Sequence, residues 1–206
     1  MPAGQVDLPD DIELWLVRHG ETQWSRSGQH TSVTDLPLTA AGERQARALS
    51  SVLAGVKPAL VLCSPRQRAL ETARLAELPV DDVDDNLVEW NYGSYEGITT
   101  ADIRKDVPGW TLFTHGVPDG ETAAAVGERA DRVLARAAEA LPRGPVVLIG
   151  HGHFSRVLGA RWIGLPVSGA AHLLLGTAAP SLLGAQHGVP VIVHWNVSNP
   201  AAEESL

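Results

Sequence analysis

The chain of 206 residues contains one cysteine, Cys63, so it cannot close an internal disulfide, and a reducing compartment suits it. It also lacks a basic excess. Sixteen Lys and Arg stand against 24 Asp and Glu, a net charge of −8, which argues against nucleic acid as the main partner. No uninterrupted apolar run approaches the roughly 18–20 residues of a membrane helix. The first residues, Met1 to Asp7, lack the basic-plus-apolar pattern of a secretory signal. No cysteine or carboxylate sits at ligand spacing around His151 and His153, and nearby arginines would repel a cation, so neither a metal nor a cofactor is expected. These absences lead to the expectation of a soluble cytoplasmic protein without a membrane contact. Any anion site must then be a local basic pocket in an acidic surface.

What is present is an ordinary folding composition, 44% hydrophobic and 19% charged, enough for one domain over 1–206 with a small inserted cap. Ile12–Val17 reads as a buried strand ending at a turn, followed by a polar loop over 22–38. A helix follows with Thr39 as N-cap, then a strand over Ala59–Cys63. Ser64-Pro65 reads as the N-cap and first position of the next helix, and a short strand is expected near Val80–Val83. The stretch 89–122, rich in glycine and aromatics, interrupts the alternation as a cap. Its Trp90, Tyr92, Tyr95 and Trp110, read as exposed, line either a pocket or a homodimer contact. Thr122 leads into a long helix to Leu141, followed by a strand over Pro145–Ile149 and a helix over His153–Ile163. Further strands are expected near His172–Leu175, Ser181–Gln186 and Pro190–His194. The expected fold is α/β in three layers, a mostly parallel central sheet with helices on both faces.

In open α/β sheets, ligands collect beyond the carboxyl ends of strands. Three such ends carry chemistry here: Arg18-His19-Gly20, Ser64-Pro65-Arg66-Gln67-Arg68 and Gly150-His151-Gly152-His153. Their convergence would put two imidazoles and the guanidiniums of Arg18 and Arg68 around one anion, a set suited to a phosphoryl group. An unprotonated His19 can attack phosphorus if its other nitrogen is held as a donor, and Gly20 leaves room for a backbone carbonyl to accept that bond. His151 would donate to the phosphoryl oxygens, while Glu89 would protonate the leaving oxygen. Thr31, Ser32, Ser25 and Gly152 are further phosphate-binding candidates, and Gln29, Tyr92 and His153 candidate pocket residues. His30, His115, His172, His187 and His194 read as structural or exposed.

Four ordered motifs carry a resemblance. Arg18-His19-Gly20-Glu21-Thr22, the R-A-x-x-T run from Arg68, the E-x-x-x-G run from Glu89 and the H-G-H run from His151 are similar to those of the histidine phosphatase (phosphoglycerate mutase-like) superfamily. The resemblance implies His19 as the phosphorylated nucleophile, Arg18 and Arg68 as phosphate ligands, Glu89 as general acid and His151 as second pocket histidine. It also implies a small phosphorylated metabolite as substrate. Phosphoglycerate mutases of this superfamily have asparagine where Ser25 stands, and a longer insertion with paired arginines where this chain offers only Arg104-Lys105. The run from Trp24 to Thr39 is more similar to the phosphatase members, acid phosphatases and sugar-bisphosphate phosphatases. The expected activity is hydrolysis of phosphomonoesters. Phosphoglycerate mutation is one alternative, and a non-catalytic phosphate-binding protein on the same fold is another.

Overall fold

Every strand expected to be buried on both faces has apolar residues at successive positions, and the structure uses both sets. The computed structural model describes residues 8–199 and 201. Strands β1 (Leu14–Arg18), β2 (Leu60–Cys63), β3 (Asp82–Val83), β4 (Val146–Gly150), β5 (Pro180–Gln186) and β6 (Val189–His194) form one sheet in the order β3-β2-β4-β1-β5-β6. The first four run parallel to one another, and β5 and β6 are antiparallel additions at one edge. Leu14, Leu16, Leu62, Val146 and Leu148 point into one apolar layer. Their neighbours Val17, Val61, Cys63, Val147 and Ile149 point into the other. That division follows from the two-residue period of a strand.

Helices α2 (Ala40–Val52) and α3 (Gln67–Leu75) cover the second layer through Leu49, Ala69 and Ala73. Helices α6 (Ala123–Ala140) and α7 (Gly152–Trp162) cover the first through Val126, Val133, Leu134, Phe154 and Leu158. Fully burying side chains of this size contributes about 1.5–3 kcal/mol each. Thr39 and Thr122 cap α2 and α6 as their sequences predict, each hydroxyl accepting an N–H of the first turn. The cap between β3 and α6 contains two short helices, α4 (Thr100–Asp106) and α5 (Leu112–His115). Among the described residues, no helix is long and apolar enough to cross a membrane.

Several local expectations need correction. The 22–38 loop holds a five-residue helix, α1 (Gln23–Ser27), because Thr22 and Ser25 form a reciprocal capping box. Helix α3 starts at Gln67, not after Ser64, because the Ser64 hydroxyl is committed to His151. The expected strand at His172–Leu175 is the end of a 3-10 turn followed by irregular chain, since both edges of β1 are already taken by β4 and β5. Trp90, Tyr92 and Trp110 are buried within the cap and against the core rather than exposed.

Candidate active site

The carboxyl ends of β1, β2 and β4 lie side by side in the sheet, and the residues just beyond them meet. The His19 and His151 rings touch edge to face with centroids 5.2 Å apart. His19 Nδ1 lies 2.7 Å from the carbonyl oxygen of Gly20. A carbonyl can only accept, so Nδ1 carries the proton and Nε2 keeps its lone pair. Burial, followed by the charges of Arg68 and Arg18, holds His19 well below the ordinary imidazole pKa, and the Gly20 bond offsets this only in part. His19 therefore stays neutral, with Nε2 nucleophilic. Gly20 is glycine for a further reason: a Cβ there would stand 2.4 Å from the Gly42 carbonyl oxygen at the start of α2.

The arginines are anchored at one end and free at the other. Arg18 Nη1 donates to the Leu175 carbonyl at 2.6 Å. Gly152 makes room for this guanidinium, since a Cβ at Gly152 would lie 3.2 Å from Arg18 Cζ and Nε. Arg68 is fully buried and donates to the carbonyls of Thr34 (3.1 Å), Ser32 (3.2 Å) and Thr31 (3.4 Å). It pairs with Asp35 at 3.6 Å, while Glu71 is taken by Arg74. From the other side the Glu96 carboxylate accepts the N–H groups of Ser32 (2.9 Å) and Thr34 (3.0 Å). The loop after α1 is thus clamped between a guanidinium and a carboxylate. Among the described residues, four buried side-chain nitrogens have no protein partner: Arg18 Nε, Arg66 Nε, Arg68 Nε and His151 Nδ1. Leaving such groups unpaired costs about 1–3 kcal/mol each, a cost that oxyanion ligands would remove.

Glu89 is 4% exposed and accepts three backbone N–H bonds: Oε1 from Trp90 (2.8 Å) and Phe154 (2.8 Å), Oε2 from His153 (2.9 Å). Two of these donors, His153 and Phe154, lie in the first turn of α7, so Glu89 ties the cap to that helix. The backbone before Glu89 is held by Arg129 of α6, which donates to the carbonyls of Asn86 (2.8 Å) and Val88 (2.6 Å) and is gripped by Glu121 (2.7 Å). Arg129 and Glu121 are positioning residues that sequence reading passed over.

Arg18, His19 and Glu89 open into a cavity of about 230 Å³. Ser25, Gln29, Thr31, Tyr92, Gly152 and His153 also line it. Their polar groups are already engaged in part. The Ser25 hydroxyl accepts the Thr22 N–H, Gln29 donates to the Gly97 carbonyl, and the Tyr92 hydroxyl lies 2.6 Å from His153 Nδ1. Ser32 lies outside this cavity, with its N–H on Glu96 and its carbonyl on Arg68. Arg68 and His151 are fully buried and are not among the lining residues, although the His151 ring lies against that of His19. Among the described residues, no group of three or more His, Cys, Asp or Glu side chains is placed to hold a metal ion.

Gly28, His30, Thr100, Arg156 and Leu175 line the cavity without being site candidates from sequence, and two of them bring chemistry. Arg156 donates to the Ala170 and Ala171 carbonyls and lies over the Phe113 ring at 4.6 Å. His30, expected to be structural or exposed, is 7% exposed, lines the cavity and stacks on Tyr92 with centroids 4.7 Å apart. Burial lowers its pKa to about 4, only partly opposed by Glu96. The unfolded chain therefore takes up this proton first, near the ordinary value of about 6.5. The associated stability is complete above pH 6.5 and is lost as pH falls towards 4, up to roughly 3 kcal/mol. Denaturant titrations from pH 7 to 4 should show a shallower acid-side loss for His30→Phe than for the native chain. Equal slopes would reject this account.

The profile of the histidine phosphatase superfamily, branch 1, matches residues 14–198. An acid phosphatase of Mycobacterium tuberculosis is 44% identical over 178 residues, covering 85% of this chain and 88% of the relative. Sedoheptulose 1,7-bisphosphatase of Saccharomyces cerevisiae is 36% identical over 184 residues, covering 74% and 68%. A solved Mycobacterium tuberculosis structure superposes with a TM-score of 0.89 at 42% identity, covering 92% of this chain and 99% of that one. The chain is an enzyme of the histidine acid phosphatase type, a phosphomonoesterase, and it belongs to the histidine phosphatase superfamily, branch 1.

Proposed function

We propose that this enzyme hydrolyses small phosphorylated metabolites through a phosphohistidine on His19. The observation that carries the reading is the 2.7 Å contact between His19 Nδ1 and the Gly20 carbonyl, which leaves Nε2 as the free nucleophile. In the first half-reaction Nε2 attacks phosphorus, the bond to the leaving oxygen breaks, and Glu89 delivers a proton to that oxygen. Arg18, Arg68 and His151 offset the charge that spreads over the equatorial oxygens. The Gly20 carbonyl stabilises the positive charge that grows on the imidazole. In the second half-reaction Glu89 takes a proton from water, water oxygen bonds to phosphorus, and His19 departs unchanged.

The cavity supports a small leaving group. Its about 230 Å³ holds a compact metabolite, and its far wall combines Arg156 with the rings of His30, Tyr92 and His153. Burial keeps His30 and His153 below the ordinary imidazole pKa, so this wall presents neutral rings beside one guanidinium. That surface suits a hydroxylated leaving group such as a sugar. Hydrolysis is favoured over mutation by the cap. Arg104 Nε is tied to the Trp110 carbonyl at 2.8 Å and Lys105 pairs with Asp102, and neither lines the cavity.

The test is a product analysis. With a panel of sugar phosphates, phosphoglycerates and nucleotides, free phosphate should appear from one or more sugar phosphates, and 3-phosphoglycerate should not be converted to 2-phosphoglycerate even with a bisphosphate primer. Rapid isomerisation with little phosphate release would overturn the hydrolytic reading.

A further inference from the structure

Ser64 lies just beyond the end of β2, is wholly buried and has no contact with the cavity. Its hydroxyl oxygen is 2.7 Å from His151 Nε2, a contact that joins two strand ends. A second neighbour, the Arg66 backbone N–H, approaches the same oxygen at 3.4 Å. An N–H can only donate, so it uses a lone pair of the serine oxygen. Among the described residues, the one acceptor in reach of the serine proton is His151 Nε2.

We infer that Ser64 is a positioning residue that sets the tautomer of His151, holding Nε2 as the acceptor so that Nδ1 carries the proton towards the phosphoryl group. His151 Nδ1 is buried and without a protein partner, so it is the nitrogen left for an oxyanion. The opposite tautomer would turn a lone pair towards a phosphoryl dianion and leave the Ser64 proton unpaired in the core, a double loss. A protonated ring would also offer this N–H, but burial and the charges of Arg68, His19 and Arg18 keep His151 well below the ordinary imidazole value. A neutral ring needs an outside group to choose between its two nitrogens, and Ser64 makes that choice. The two touching imidazoles then perform opposite tasks. His19 is fixed by a carbonyl acceptor and exposes a lone pair, whereas His151 is fixed by a hydroxyl donor and exposes an N–H.

The mechanistic value of this assignment rests on the phosphohistidine reading, but the tautomer itself does not, and the experiment separates them. In native enzyme with 15N-labelled histidine, two-bond proton–nitrogen correlations should show His151 protonated on Nδ1 only. In Ser64→Ala the His151 signal should move towards a mixture of tautomers. Phosphoenzyme formation from p-nitrophenyl phosphate and affinity for vanadate should both fall by roughly 10–100-fold, less than the 10²–10³ typical of losing an oxyanion donor outright. KM should change little, and Ser64→Thr, which restores the hydroxyl, should recover most of the rate. A native His151 protonated on Nε2 or on both nitrogens overturns the inference, as does a Ser64→Ala enzyme with unchanged tautomer and rate. The native spectrum decides even if the variants fold poorly. Failure to trap phosphate on His19 would instead sink the phosphohistidine mechanism and leave the tautomer assignment standing.

Discussion

His19→Ala is expected to abolish turnover, by roughly 10⁴–10⁶-fold, and to eliminate phosphoenzyme labelling. The size follows from what the ring supplies. Nε2 is the bond-forming atom, and no neighbour can replace it: His151 has one nitrogen on Ser64, and the arginines cannot lose a proton. The substitution should not unfold the protein, because the His19 side chain contributes a hydrogen bond to Gly20 and no part of either apolar layer, while its backbone bonds to Gly150 and Ala178 are kept. Binding of inorganic phosphate should survive in weakened form, since Arg18, Arg68 and His151 remain. Measuring phosphate affinity alongside single-turnover labelling therefore separates loss of the nucleophile from loss of the site. Appreciable residual labelling at another residue would remove His19 from its role.

Glu89→Gln should slow phosphoenzyme formation by roughly 10²–10⁴-fold for alkyl phosphates and far less for p-nitrophenyl phosphate. The reason lies in the leaving oxygen. A sugar alkoxide is too basic to depart without a proton, whereas p-nitrophenolate departs readily. Glutamine preserves the volume and one acceptor oxygen, which can keep the N–H groups of Trp90 and Phe154 at the Oε1 position, while its amide nitrogen gives up the bond from the His153 N–H. What it cannot do is deliver and recover a proton. If both substrates slow by the same factor, Glu89 acts through geometry and not as an acid. Hydrolysis of preformed phosphoenzyme should also slow, because the same carboxylate takes the water proton.

The parts legible from sequence are those that local chemistry specifies. Arg18-His19-Gly20 and Gly150-His151 stand at the ends of apolar runs, where a parallel sheet gathers its functional residues. Thr39 and Thr122 cap the helices that begin one residue later. The errors concern partners distant in the chain. Ser64 has the local look of an N-cap before Pro65, but its hydroxyl bonds a histidine 87 positions away. Leu173-Leu174-Leu175 has the apolar character of a strand but joins no strand of the sheet, and Leu174 is 74% exposed. His30 and Arg156 gave no signal because the cavity wall is assembled from separate segments. His30 meets Thr100 70 positions on, and Tyr92 meets His153 61 positions on. Arg68 was legible as a cation, but the three carbonyls it holds were not, since they depend on how the loop folds back over α3.

The alternation of β1 carries a consequence for how mutations are tolerated. Leu16 belongs to one apolar layer and Val17 to the other, and His19 follows two residues after Val17 without a bend in between. A slip of one residue against β4 would invert every side chain of the strand. It would bury the wrong groups and carry His19 away from His151 in the same movement. Misfolded yet soluble molecules with a displaced nucleophile therefore have no stable form to occupy. Damage to the apolar positions of this strand, Leu14, Leu16 and Val17, should be seen as lost protein rather than as a population of folded, inactive enzyme.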